Sequence, residues 1–240
     1  MLSIIIPTLN EEDYLSGLLE SIKRQTFKDY EIIIADANST DTTLKIAKSY
    51  GCRITKGGLP AKGRNEGAKV AKGDILLFLD ADVIISHEKF IENSLAEFKR
   101  KNLDIAIFPL AIVKGKKIDK IAVTIWNKWI SLMQKVFPHG ASAFLVKKRI
   151  HESINGFDES IVFAEDQHYA DRAGKISKLG VVEKEPVCIS IRRYEKDGRF
   201  NTYIKYVIAD MHILFKGPIR SEIFSYRFNH YKDEKIENRK

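Results

Sequence analysis

The sequence predicts an α/β fold in which helices flank a mostly parallel β-sheet, and three observations support this. Short apolar runs rich in β-branched residues alternate with helical patterns in the first half of the chain, as in sheets covered on both faces. Turn and cap residues separate these segments. The 240 residues are 44% hydrophobic and 30% charged, which fits a globular protein and excludes disordered and fibrous classes. We expect one domain over 1–200 and a basic helical extension over 201–240.

Strands and helices alternate through the first 108 residues, near the end of which we expect the sheet core to end. Four apolar segments predict strands, at 2–6, 31–36, 52–55 and 74–80. Apolar residues at helical spacing predict four helices, at 14–22, 44–50, 63–71 and 90–98. The expected N-caps of the first and fourth helices are Asn10 and Ser86, and the expected terminators of the second and third are Gly51 and Gly73.

The second half of the chain is less regular. Residues 118–137 predict an amphipathic helix with Ile125 and Trp129 on its apolar face and Asn127 in its polar stripe. The acidic segment at 163–166 predicts the start of another helix. We further expect a strand at 143–146, a turn at 156–158, a strand pair or meander at 181–191 and a final helix at 202–215.

Cysteine usage and hydropathy predict a cytoplasmic protein. Cys52 and Cys188 are the only cysteines, and their isolation in the sequence gives no disulfide framework. The N-terminal residues lack a signal-peptide pattern, and no apolar run approaches the roughly 18 residues of a membrane-spanning helix. The net charge of +8 is compatible with nucleic acid, anionic lipid or phosphorylated substrates and does not choose between them.

Carboxylates follow two of the predicted strands, at the sheet edge where open parallel sheets bind ligands. Asp36 ends the second strand, and Asp80 and Asp82 end the strand at 74–80. Two carboxylates one residue apart suit Mg²⁺ or Mn²⁺ shared with substrate phosphates, because such ions need few protein ligands. A polar turn in which Asp82 acts as a cap is the alternative, since so short a pattern also arises by chance.

Five short motifs occur in a fixed order along the chain. They are Pro7-Thr8-Leu9-Asn10-Glu11, Asp36 with Ser39-Thr40-Asp41, Arg64-Asn65-Glu66-Gly67, Phe78-Leu79-Asp80-Ala81-Asp82, and Gly156-Phe157-Asp158 followed by Ala164-Glu165-Asp166. Together they resemble the family 2 glycosyltransferases over about residues 1–200. The resemblance implies a Rossmann-like fold of the GT-A type and an inverting glycosyltransferase, with a nucleotide-sugar-binding half at 1–108 and an acceptor half at 109–200.

The resemblance also implies roles for individual residues. Asp36 would accept a hydrogen bond from the nucleotide base, Asp82 together with Asp80 would hold Mg²⁺ or Mn²⁺, and Asp166 would be the catalytic base. The residues that would contact the nucleotide sugar are Pro7, Thr8, Glu11, Asp36, Arg64, Asp80, Ala81, Arg192 and Arg193. A solvated basic face is the alternative for the two late arginines, and a favourable helix-dipole contact is the alternative for Asp166.

The chemistry of sugar transfer requires few protein groups. A nucleoside diphosphate leaves readily once a cation neutralises the charge that develops on it, so no protein acid is needed. The acceptor hydroxyl loses a proton as it attacks from the opposite side of the sugar, so one base suffices. Such an in-line displacement inverts the anomeric centre. We expect Asp82 to act through the cation and Asp166 to act as the base.

Some residues depart from the family pattern, and two other functions compete with sugar transfer. Ala37 and Thr43 stand where many relatives carry glycine, and the Gln-x-x-Arg-Trp element of processive members is absent, so we expect transfer of a single sugar. A sugar-phosphate nucleotidyltransferase would carry a Gly-rich, Arg-containing loop where this chain has 7–11. A nucleic-acid-binding protein would suit the positive charge, but the acidic strand ends would repel phosphate without a metal, and the sequence has no RNP-like aromatic strand, zinc or helix-turn-helix pattern.

The region after Arg192 combines positive charge, aromatic residues and amphipathic patterning. From Arg192 to Lys240 there are twelve Lys or Arg residues and seven Asp or Glu residues. Such a segment suits an anionic membrane surface, which would place the enzyme at the inner face of the membrane and allow a lipid-linked acceptor. The alternative is that the helix at 202–215 packs on the sheet, as amphipathic helices usually do.

Overall fold

A seven-stranded sheet forms the centre of the structure, a computed structural model that describes residues 1–112, 115–134, 138–139 and 142–221. The strands are β1 (Leu2–Thr8), β2 (Tyr30–Asp36), β3 (Arg53–Lys56), β4 (Ile75–Leu79), β5 (Ile84–Ile85), β6 (Ile105–Ile107), β7 (Leu110–Ala111), β8 (Ala143–Lys147), β9 (Leu179–Val181) and β10 (Val187–Cys188). The helices are α1 (Leu15–Lys23), α2 (Thr43–Ser49), α3 (Pro60–Val70), α4 (Phe90–Arg100), α5 (Lys117–Met133), α6 (Lys148–Ser153), α7 (Glu165–Ile176), α8 (Arg192–Lys196) and α9 (Arg199–Lys216).

The strand order of the central sheet is β3-β2-β1-β4-β8-β6-β9. β8 runs antiparallel to both of its neighbours, β4 and β6, whereas the other pairs are parallel. A second, three-stranded sheet has the order β5-β10-β7. The predicted α/β class with a mostly parallel sheet is therefore confirmed. Within the described residues, no helix combines the length and hydrophobicity that crossing a bilayer requires.

Helices cover both faces of the sheet, which explains why its central strands are apolar on both sides. Side chains of successive residues in β1 point to opposite faces, so Ile4 and Ile6 pack with α1 and α4 while Ile5 packs with α3 and α7. All three isoleucines are fully buried. The two cores on either side of the sheet hold β1 in place, and its C-terminal end carries the first of the motif residues.

Two glycines allow α3 to lie directly against β1. A Cβ at Gly67 would overlap the Cγ2 atom of Ile5, and a Cβ at Gly63 would stand 2.8 Å from the Cβ of Pro7. The two glycines are four residues apart in sequence, so they lie on the same side of the helix. The close approach fixes Arg64, which lies between them, next to the C-terminal edge of the sheet.

Several expected boundaries in the first half are wrong. Asn10 has a φ of 52° and its side-chain oxygen accepts a hydrogen bond from the Thr40 amide at 2.7 Å, so it shapes the loop rather than capping α1, which begins only at Leu15. Ser86 does not cap α4 either, because residues 84–85 form a strand and α4 begins at Phe90. The sheet does not end near residue 108, since β8 and β9 pair with β6.

The second half differs more from expectation. The prediction of paired strands at 181–191 is wrong, because β9 and β10 belong to different sheets. The orientation expected for α5 is also wrong: Asn127 faces the protein and pairs with the backbone of Leu110 through hydrogen bonds of 2.8 and 2.9 Å, whereas Ile125 is 63% exposed. Periodicity located this helix but did not identify its inward face. Its predicted last residues, 135–137, lie outside the described residues.

The close packing of α3 on β1 predicts opposite effects for two helical glycines. Gly67→Ala should lower the free energy of unfolding by about 1–2 kcal/mol, because overpacking against Ile5 exceeds the gain in helix propensity. Gly17→Ala in α1 should be neutral or stabilising by up to about 1 kcal/mol, since its nearest neighbour is 4.0 Å away. Urea denaturation measures both, and equal stabilities of the two variants would contradict the packing described.

Candidate active site

Thr8, Asp36 and Asp80 lie together at the C-terminal edge of the parallel strands. Thr8 pairs with Asp36 in the register of β1 and β2, and the Thr8 hydroxyl donates to the Asp36 carboxylate at 2.9 Å. The backbone amide and hydroxyl of Ser39 donate to the same carboxylate at 2.8 and 2.6 Å. Asp36 is buried, and these donors fix its orientation. Its expected hydrogen bond to a nucleotide base stays a prediction.

Arg64 joins the two halves of the site. Its Nη2 lies 2.7 Å from Oδ1 of Asp80, and its Nη1 lies 2.7 Å from Oε1 of Glu165 at the start of α7. Its guanidinium also lies over the ring of Phe157 at 5.2 Å. Burial alone would lower the pKa of Arg64, but Asp80 and Glu165 raise it, and the net shift is upward. The guanidinium is therefore a permanent positive charge between two carboxylates.

Asn65 holds the turn at Gly156 and Phe157 against α3. Its Oδ1 accepts from the Phe157 amide at 2.8 Å, and its Nδ2 donates to the Phe157 carbonyl at 2.9 Å. Gly156 has a φ of 66°, and a Cβ there would overlap Oδ1 of Asn65. Phe157 in turn stacks on Tyr169 of α7 at 3.8 Å. Two motifs that are distant in sequence thus form one contact, which positions the start of α7.

Asp166 lies beside Glu165 in the first turn of α7. Its Oδ1 accepts a hydrogen bond from the Gln167 amide at 2.8 Å. Burial and the neighbouring Glu165 charge raise the pKa of Asp166 and Arg64 opposes the shift, so that the pKa is about 6. A carboxylate with such a pKa is ionised at neutral pH and accepts a proton more readily than an ordinary aspartate. These properties suit a general base.

Arg192 of α8 spans the other side of the site. Its guanidinium contacts both carboxylate oxygens of Glu11, at 2.9 and 3.1 Å, and its Nε lies 3.0 Å from Oδ2 of Asp82. It also lies over the ring of Tyr14 at 4.7 Å. Burial raises the pKa of Glu11 and of Asp82, although Arg192 opposes both shifts. Arg192 therefore compensates part of the negative charge of Glu11 and Asp82.

The carboxylates fit a metal ion only if the substrate completes its coordination. Among the described residues, no cluster of three or more His, Cys, Asp or Glu side chains has the arrangement of a metal site. Asp80 and Asp82 are instead paired with Arg64 and Arg192. Mg²⁺ is commonly held by one or two carboxylates together with substrate phosphates. The donor set fits that kind of site and not an ion held by the protein alone.

The remaining predicted residues lie near this cluster. Pro7 is in β1 beside Ala35 of β2, and Ala81 is buried between the two aspartates. Arg193 follows Arg192 in α8, and its charge lowers the pKa of Asp82. The sequence interpretation assigned no role to Glu165 or Tyr14. Glu165 is adjacent to the predicted Asp166, but its partner Arg64 lies 101 residues earlier in the sequence. No sequence signal indicated that Tyr14 contacts Arg192.

Comparison with known proteins identifies the family. The family model described as glycosyl transferase family 2 matches residues 3–147. The chain belongs to this family. The resemblance drawn from the five motifs is thereby confirmed.

Curated relatives show the same relationship. The poly(ribitol-phosphate) beta-glucosyltransferase of Bacillus spizizenii is 32% identical over 195 residues, an alignment that covers 75% of this chain and 30% of that protein. The poly(ribitol-phosphate) beta-N-acetylglucosaminyltransferase TarS of Staphylococcus aureus is 29% identical over 188 residues, covering 71% of this chain and 32% of TarS. The alignments thus span about a third of the length of these relatives.

Solved structures show the same fold. The crystal structure of S. aureus TarS 1–349 has a TM-score of 0.66 at 20% identity and covers 99% of this chain and 78% of that one. The mannosyltransferase PcManGT from Pyrobaculum calidifontis, in complex with GDP-Man and Mn²⁺, has a TM-score of 0.64 at 17% identity and covers 86% of this chain and 64% of that one. The expected GT-A fold is confirmed.

The ion pairs of Arg64 predict a large loss of stability on its removal. Arg64→Met should lower the free energy of unfolding by about 3 kcal/mol, because it leaves Asp80 and Glu165 without their countercharge in a largely buried position. Lys175→Met is the matched control, since it removes an exposed cation from an ion pair with Asp171 and should cost less than about 0.5 kcal/mol. Urea denaturation measures both, and similar losses would show that Arg64 is not a structural bridge.

Proposed function

We propose that the protein transfers a single sugar from a nucleotide-sugar donor to an acceptor hydroxyl, with inversion at the anomeric carbon. The observation that carries the proposal is the position of Asp166. Its neighbour Glu165 pairs with Arg64, and Arg64 also pairs with Asp80, which follows β4. A half-buried carboxylate with a raised pKa thus lies near the acids that follow the parallel strands. Membership of glycosyl transferase family 2 supports the same function.

The donor would bind across the C-terminal edge of β1, β2 and β4. Pro7, Thr8, Glu11 and Asp36 would border the nucleoside, while Ala81 and Asp80 would border the sugar. Arg64, Arg192 and Arg193 would contact phosphate oxygens, for which guanidinium groups have a matching geometry. The TarS structures in complex with UDP and with UDP-GlcNAc, and PcManGT with GDP-Man, support a donor of this class.

Asp82, with Asp80, would hold Mg²⁺ or Mn²⁺ together with the diphosphate. The ion, when bound, neutralises charge on the leaving phosphate. Arg192 forms ion pairs with the carboxylates of Glu11 and Asp82 in this structure. Its side chain would therefore have to move from Asp82 toward the diphosphate when the donor binds. Mn²⁺ in the structures of PcManGT and of the glucosyl-3-phosphoglycerate synthase of Mycobacterium tuberculosis supports a divalent ion.

Asp166 would accept the proton of the acceptor hydroxyl. Its carboxylate is ionised above its pKa of about 6 and would hold the hydroxyl on the side of the sugar opposite the diphosphate. Attack from that side inverts the anomeric centre. We further infer a cytoplasmic location, supported by the two free thiols of Cys52 and Cys188, and a lipid-linked acceptor, supported by the charge and amphipathic pattern after Arg192.

The two rival functions have less support. The loop after β1 is Pro7-Thr8-Leu9-Asn10-Glu11 and lacks the Gly-rich, Arg-containing sequence of a nucleotidyltransferase. The acids Glu11, Asp80 and Asp82 lie at the open edge of the sheet, where they would repel a nucleic-acid backbone. Sugar transfer therefore accounts for the site better than either.

The role of Asp166 predicts a separation between binding and turnover. Asp166→Asn should lower the release of nucleoside diphosphate from the donor by about 10²-fold or more, because the amide does not accept the proton. Calorimetry should find donor affinity within a factor of about two of the parent, since the residue faces the acceptor. Asp171→Asn is the control, because this exposed acid lies on the same helix and pairs only with Lys175 among the described contacts. Undiminished turnover in Asp166→Asn would remove Asp166 from the role of base.

A further inference from the structure

Exposed apolar side chains are concentrated on two helices. Among the residues that the structure describes, sixteen large apolar side chains are exposed, and twelve of them belong to α5 or α9. Those of α5 are Ile118, Ile121, Ile125, Trp129 and Leu132, and those of α9 are Phe200, Ile204, Val207, Ile208, Met211, Leu214 and Phe215. Scattered exposed apolar residues are normal, but contiguous patches mark interaction sites.

In α9 the apolar residues form a stripe on the side that faces away from the protein. They recur three or four residues apart, as on one face of a helix, and Phe200, Leu214 and Phe215 are 79%, 61% and 73% exposed. The opposite side carries the buried Thr202 and Ala209. This is the reverse of an ordinary surface helix, whose apolar side faces the core.

The apolar stripe of α5 belongs to the same region of the protein. Its inward side carries Asp119, Val123 and Ile130, and its exposed apolar residues again recur at helical spacing. Arg199 at the start of α9 pairs with Asp119 of α5 at 2.6 and 2.9 Å. His139 links the helices a second time, because its ring lies 5.0 Å from that of Trp126 in α5 and its Nε2 lies 3.2 Å from Asp210 in α9. The apolar stripes of α5 and α9 are called the two-helix surface below.

The exposed charged residues on α5 and α9 themselves are lysines. Lys117, Lys120, Lys128 and Lys216 are exposed. Asp119 and Asp210 are the only acidic residues of the two helices; Asp119 pairs with Arg199, and Asp210 contacts His139. Exposed apolar side chains flanked by lysines are complementary to an anionic lipid surface, into which the apolar groups insert while the cations meet the head groups.

The two-helix surface adjoins the active site. α8 carries Arg192, which contacts Glu11 and Asp82, and α9 begins three residues after α8. The ring of Tyr206, on the inward side of α9, lies 6.3 Å from that of Phe163, two residues before α7. A partner seated on α9 would therefore lie close to the site at which the acceptor is expected.

We propose that the two-helix surface lies in the interface of an anionic lipid bilayer. The proposal extends beyond the segment after Arg192, because α5 contributes five of the exposed apolar residues. It does not depend on sugar transfer, since a protein without that activity would bind the bilayer through the same side chains. Docking in this position would orient the active site toward acceptors held at the membrane.

Vesicle co-sedimentation of the full chain tests the proposal. At low salt the protein should sediment with phosphatidylcholine–phosphatidylglycerol vesicles and not with phosphatidylcholine vesicles, and high salt should release it. Val207→Glu with Met211→Glu should weaken binding by at least about tenfold, because both side chains belong to the outward stripe of α9. Ile176→Glu, which places the same charge on an exposed position of α7, should bind as the parent does.

Two further measurements separate the proposal from its alternatives. Thermal denaturation should show the same melting temperature for the α9 double variant as for the parent, so that lost binding does not reflect lost folding. Light scattering on the parent should show the same mass as the double variant. The proposal is overturned if anionic vesicles retain no protein at low salt, if both vesicle types or the double variant bind equally well, or if the parent is a dimer that the double variant dissociates.

Discussion

The bridge from Asp80 through Arg64 to Glu165 is the contact on which the site depends. A buried guanidinium is tolerated only with excellent pairing, and here one carboxylate follows β4 while the other opens α7, 101 residues after Arg64. Helix α3 presents Arg64 at this place because Gly63 and Gly67 let it approach β1. The same bridge fixes the first turn of α7 and with it Asp166. The two halves of the chain therefore share one electrostatic unit.

Negative charge exceeds positive charge in this unit, which explains several of its properties. Five acids, Glu11, Asp80, Asp82, Glu165 and Asp166, face three arginines, Arg64, Arg192 and Arg193. Burial accordingly raises the pKa of Glu11, of Asp82 and of Asp166, because the positive charges present do not fully compensate it. An added divalent cation would restore the balance and allow the anionic diphosphate to approach. The ion pairs of Arg192 with Glu11 and Asp82 are a partial substitute for that cation.

Local patterns predicted the part of the fold that local forces determine. The apolar runs of β1, β2 and β4 and the acids that follow β2 and β4 were evident, since parallel buried strands are apolar throughout. The antiparallel insertion of β8 between β4 and β6 was not, because pairing depends on contacts between distant segments. Nor did periodicity show that α5 turns Ile125 outward, as it reports amphipathicity and not orientation. Glu165 was missed for the same reason as β8: its role follows from a partner far away in the sequence.

If this cluster of acids and arginines is a metal-assisted site for a nucleotide sugar, its ligands should stabilise the protein against heat. Thermal denaturation would be followed with UDP, GDP, UDP-GlcNAc or GDP-mannose, each with and without Mn²⁺. We expect at least one nucleotide to raise the melting temperature, since a ligand that binds only the native state stabilises it by mass action. We also expect Mn²⁺ to increase the rise in the parent and not in Asp82→Ala. No rise with any nucleotide, or an equal effect of Mn²⁺ in both proteins, would contradict the account.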